Sequence, residues 1–137
     1  LNNLINSSSE GQFNKLSMEY LLGQIFRIFA FMIGVGWNES VLVGSLLGQK
    51  FVLNEFIAYV NLAEIKEAGL LSEKSIIIST YSLCGFANFS SIAIQIGGIG
   101  SMAQSRQKDI SKLGLRALLA ATLATLLTGN IAGFIIA

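Results

Sequence analysis

Glu55 is an acidic side chain set between apolar runs, in VLNEFIAY. Downstream, the stretch Ser75–Ser105 carries no charge, yet an amide and a hydroxyl, Asn88 and Ser91, stand three residues apart within it. A carboxylate accepts hydrogen bonds from hydroxyl groups, and an amide both donates and accepts them. An aromatic ring can wall a flat or puckered ring, a role open to Phe86. Asn88 and Ser91 therefore suit non-covalent binding of a polyhydroxylated solute, Phe86 suits the wall of a sugar or base ring, and Glu55, an ionisable group flanked by apolar side chains, calls for a partner or a cavity. Each has a blander alternative. Glu55 meets water if its surroundings are shallow. Asn88 and Ser91 hydrogen-bond neighbouring helices, as such side chains do in membrane bundles. Phe89 reads as core packing. Gln49 and Lys50, just before Glu55, read as a structural partner or a gate, with Lys50 otherwise snorkelling to the surface.

Other chemistries lack their residues. No histidine is present, which removes Ser-His and Cys-His dyads and zinc-histidine sites from this stretch. The lone Cys84 has no internal disulfide partner and reads as a small packing residue. The glycines at 97, 98 and 100 resemble a dinucleotide loop only superficially, since no strand precedes them and no acidic ribose ligand follows. A net charge of +1, without an arginine-rich stripe, gives no case for nucleic acid. No enzyme activity is expected.

The elements that hold these residues follow from composition. Hydrophobic residues make up 53% of the 137 and charged ones 12%, about half the charged share of a soluble domain. Lipid is the solvent that suits such a chain, so an all-α integral membrane protein is expected. The chain opens on Leu1 without a signal-peptide pattern and reads as a piece of a longer protein. Residues 1–15 read as the end of a scaffold helix and an external loop. Residues 16–36 read as a short amphipathic helix, with Ser17 as N-cap and Arg27 in its middle. Residues 37–66 hold two apolar arms of about ten to twelve residues around a polar tip. A spanning helix needs about 20, so these arms predict a re-entrant hairpin, with Asn38 as its first N-cap. Residues 67–104 read as a transmembrane helix broken at CGFANFSS, Cys84–Ser91. Residues 105–137 read as a basic link, Arg106–Arg116, and a last transmembrane helix carrying small residues such as Gly129 and Gly133 at packing spacing. The positive-inside rule puts the basic link in the cytoplasm and the hairpin's mouth outside. Trp37 reads as an interfacial anchor.

The runs GSLLGQKFVLNEFIAY, STYSLCGFANFSSIAIQIGGIG and KLGLRALLAATLATLLTGNIAGF together resemble the C-terminal third of the concentrative nucleoside transporter family. The resemblance covers the chain from Met18 onward and is carried most specifically by NEF-x-AY and CGFAN-F-S-S. It implies an inverted-repeat transporter in which hairpin and broken helix supply the ribose side of a nucleoside site, through Glu55, Asn88, Ser91 and Phe86. It implies an ion-coupled nucleoside symporter, with sodium or a proton bound outside this stretch and no other cofactor. It further implies as partners a nucleoside, the bilayer, the rest of the transporter chain and a homotrimer, in the plasma membrane (for a bacterium, the inner membrane). The alternative is a non-transporting helical membrane module that assembles or regulates a larger complex.

Overall fold

The computed structural model describes residues 18–136. Within them every regular element is helical: α1 (Met18–Met32), α2 (Ser40–Val52), α3 (Glu55–Glu67), α4 (Glu73–Leu83), α5 (Phe89–Met102), a 3-10 turn (Gln104–Arg106) and α6 (Gln107–Ile136). The loop expected before residue 16 and the N-cap expected at Ser17 lie outside the described residues.

Helix α1 ends at a chain reversal through Gly34, whose φ of 101° lies where only glycine sits without strain. It packs along α2, with Gly23 and Gly44 at the crossing. Arg27 does not point away from the protein. Its guanidinium lies 3.7 Å from the centroid of the Trp37 ring, and its Nε donates to Ser40 Oγ at 3.1 Å. Trp37, read above as a membrane anchor, thus also packs under a cation.

The helix expected to be capped by Asn38 starts one residue later, on Glu39, with no side-chain capping bond. The Glu39 carboxylate turns across to the start of α4, where it accepts from the Ser72 backbone N–H (3.0 Å) and hydroxyl (2.9 Å). A long-range partner has taken the group that local capping would have used.

α2 and α3 are joined through Leu53 and Asn54 and fold back on one another. Asn61 Nδ2 on α3 donates to Gln49 Oε1 on α2 at 2.5 Å. Each arm has 13 residues, or about 20 Å of helix at 1.5 Å per residue. The apolar centre joins all but the fifth helix through Ala30, Val43, Leu46, Ala58, Ile78 and Leu126.

α4 stops at Leu83, and α5 begins only at Phe89. Between them the backbone is non-helical, with Cys84 extended and Gly85 at φ 145°. The expected interruption over Cys84–Ser91 is therefore shorter: Ser91 already lies in the first turn of α5. Cys84, expected to pack, is exposed at this break.

The 33 residues Gln104–Ile136 are long and apolar enough to cross a bilayer. α6 packs on α4 where Gly129 and Gly133 face Ile78 and Ser82. A Cβ at Gly129 would collide with Ser82 Oγ and lie 3.0 Å from the Ile78 carbonyl oxygen. Gly129→Ala should push the two helices apart and, as overpacking does, cost about 1–3 kcal/mol. In the full-length protein this reads as a lower melting temperature; an unchanged one would contradict the contact.

Candidate functional site

The two helix starts that follow the hairpin turn and the break meet each other. Asn54 caps α3, its Oδ1 accepting from the Ile57 N–H at 3.0 Å, so Glu55 is the first helical residue. A carboxylate there is favoured by the positive end of the helix dipole. Asn88 caps α5 in the same way and is 1% exposed. Its Oδ1 accepts from both the N–H of Ser91 (2.8 Å) and its hydroxyl (2.9 Å). That fixes the amide's orientation and aims Nδ2 at Glu55 Oε2, 2.7 Å away.

Glu55 thus has one oxygen engaged by Asn88. The other has no partner among the described residues, and Glu55 forms no ion pair among them. A half-satisfied carboxylate, beside an amide held by a cap, presents acceptor capacity to a hydroxyl-bearing ligand. Such bonds are charge-assisted and about twice as strong as neutral ones.

Two further contacts lock the hairpin turn onto the start of α5. The Ser90 hydroxyl donates to the Leu53 carbonyl at 3.2 Å, and Phe51 meets Phe89 edge-on at 5.1 Å. Phe89, expected to pack in the core, makes this ring contact but is 46% exposed and lies outside the apolar centre. Phe86 stands out from the break at 76% exposure. With Asn88, Ser91 and Gln95 it lines a cavity of about 110 Å³ against α6. Glu55 touches Asn88 but does not line this cavity. The cavity's volume falls below the roughly 300–1,000 Å³ usual for a small-molecule pocket.

The profile of the family described as "Na+ dependent nucleoside transporter C-terminus" matches residues 1–133. The chain belongs to that family. It is 51% identical over 121 residues to the uncharacterized transporter YutK of Bacillus subtilis, covering 88% of this chain and 30% of that protein. It is 44% identical over 134 residues to human solute carrier family 28 member 3, covering 88% of this chain and 19% of that protein. Among solved structures, CNTnw in an inward-facing, substrate-bound state superposes with a TM-score of 0.87 at 40% identity, over 94% of this chain and 32% of that one. The chain thus spans about a third or less of the relatives it matches. The family resemblance drawn from NEF-x-AY and CGFAN-F-S-S is borne out.

Within this nucleoside transporter C-terminal region, two polar groups carry more than their sequence signal suggested. Ser91, three residues beyond Asn88, is the partner of the Asn88 cap. The Asn-x-x-Ser spacing after a glycine was the available clue. Lys50 does not snorkel. It is 3% exposed, donating to the Ser82 carbonyl and to Thr125 Oγ1, each at 2.9 Å.

The Glu55–Asn88 pairing can be tested without a ligand. Asn88→Ala removes the α5 cap, a change that costs about 0.5–2 kcal/mol. Asn88→Asp keeps a good cap but sets a carboxylate against Glu55. Asn88→Asp alone should therefore melt lower than the parent, and adding Glu55→Gln should recover much of the loss. If Glu55→Gln gives no recovery in thermal melts of the full-length protein, the two side chains are not paired.

Proposed function

We propose that this chain is the C-terminal part of an ion-coupled nucleoside symporter and supplies the ribose side of its substrate site. The observation that carries the reading is the Glu55–Asn88 hydrogen bond, made where the hairpin turn meets the helix break, in a chain of a nucleoside transporter family. Relatives with names that support it include the putative nucleoside permease NupX of Escherichia coli and, with a coupling ion in its name, rat sodium/nucleoside cotransporter 1.

In this reading α2 and α3 are a re-entrant hairpin, because arms of about 20 Å fall short of a hydrocarbon core of about 30 Å. Helices α4 and α5 are the two halves of one broken transmembrane helix, and α6 is the last span. The large apolar side chains α6 exposes at Leu115, Leu119, Leu123 and Leu127 face lipid or the rest of the transporter. The protein resides in the plasma membrane, the inner membrane in a bacterium, with the Arg106–Arg116 link in the cytoplasm. It works as a homotrimer, and its coupling ion, sodium or a proton, binds outside this chain.

A nucleoside must shed water to cross an apolar layer, and each buried hydroxyl left unpaired costs about 1–3 kcal/mol. Glu55, Asn88 and Ser91 replace that water around the ribose, while Phe86 covers a ring face. A coupled ion then biases inward- and outward-facing states through its different affinity for each. No covalent step is involved.

Glu55→Gln keeps the size of the side chain but gives up its charge and one acceptor oxygen. In the full-length protein it should cut nucleoside uptake by about tenfold or more, the scale of one lost charge-assisted bond, while surface expression stays at parent level. The loss should shrink for a nucleoside without its 2′ and 3′ hydroxyls. Normal uptake, or an equal loss for both ligands, would remove Glu55 from the ribose site.

A further inference from the structure

A helix leaves its last four carbonyls without intrahelical donors. At the end of α4 that need is acute, because the chain turns extended at Cys84 and swings through Gly85. Continuation of the helix therefore satisfies none of them. Two are met from the hairpin instead, one from each arm. Tyr59 on α3 gives its hydroxyl proton to the Thr80 carbonyl at 2.7 Å. Lys50 on α2 gives an ammonium proton to the Ser82 carbonyl at 2.9 Å. The same ammonium reaches Thr125 on α6, so one cation ties α2, α4 and α6 together.

A buried ammonium is costly unless its protons find acceptors, and among the described residues Lys50 has no carboxylate within ion-pair distance. Its partners are a carbonyl at the negative end of a helix, where a cation is favoured, and a hydroxyl. The position is specific: Lys50 holds the last turn before the break, while Leu53 and Glu55 hold the first turn after it.

We propose that Lys50 is a positioning residue of the substrate site. Its charge caps the broken end of α4 and so sets where the connection 84–88 presents Phe86 and Asn88 to Glu55. Tyr59 performs the same task more weakly from the other arm. The inference rests on the reading of Glu55 and Asn88 as ribose ligands.

The test is equilibrium binding of radiolabelled uridine to the purified full-length protein. Lys50→Met has nearly the length of lysine but donates nothing. It should weaken binding by about tenfold, as loss of a charge-assisted bond does, with the oligomer intact by size-exclusion chromatography. Lys50→Arg restores a charged donor and should retain more affinity than Lys50→Met. In an Asn88→Ala background Lys50→Met should cost little more, because Lys50 acts through the placement of Asn88. A merely structural lysine would add its full loss in that background and gain nothing from arginine, and either result overturns the proposal, as does parent-like binding by Lys50→Met. If Lys50→Met does not assemble, Tyr59→Phe decides: a smaller loss that vanishes in the Asn88→Ala background supports it, and unchanged binding overturns it. Should Glu55→Gln and Asn88→Ala bind uridine normally, the ribose-site reading itself falls. Should those two lose binding while Lys50→Met does not, only the role of Lys50 falls.

Discussion

Backbone that leaves a helix at membrane depth must still find partners for its N–H and C=O groups, since lipid offers none. In the transporter reading proposed above, the chain meets this constraint at the junction of the hairpin turn with the break between α4 and α5. Lys50 and Tyr59 satisfy carbonyls on one side of the break. On the other side Asn88 caps the first turn of α5, and Glu55 holds Asn88. The groups that satisfy the interruption are thus the groups proposed as ribose ligands, or their neighbours.

The remaining elements hold that junction in place. Glu39 fastens the mouth of the hairpin to the start of α4, so α2 is tied to α4 at both ends. Arg27 fastens α1 to the same mouth through Ser40 and Trp37. On the opposite flank α6 approaches α4 closely because Gly129 and Gly133 carry no side chain, and Thr125 receives the Lys50 ammonium from there. The last turn of α4 is thus held by Lys50 of α2 and Tyr59 of α3, and the same Lys50 reaches α6.

Much of this was legible in the sequence because apolar surroundings make polar residues conspicuous. Glu55 between apolar arms and Asn88 within an uncharged run stood out for that reason, and the two short apolar arms are the helices α2 and α3. The rest depended on partners remote in sequence. Lys50 reads as a structural partner, a gate or a snorkelling side chain, and sequence alone leaves these open because its acceptors lie 32 and 75 residues away. Asn38 looked like the cap of α2, but Glu39 takes that position while its side chain serves Ser72, 33 residues on. Cys84 looked like a packing residue within an apolar run, yet the chain leaves the helix there and exposes it. Local pattern identifies a polar group in the wrong solvent; only the fold says which distant atom makes it affordable.

The central claim is that Glu55 and Asn88 form the ribose wall of a nucleoside site. The most direct measurement is an experimental structure of the full-length protein with a nucleoside bound. The account predicts the 2′ and 3′ hydroxyl oxygens within hydrogen-bond distance, about 2.5–3.0 Å, of the Glu55 carboxylate, with Asn88 beside it and Phe86 against a ring. A nucleoside bound elsewhere, with Glu55 still engaged by Asn88 alone, would contradict it.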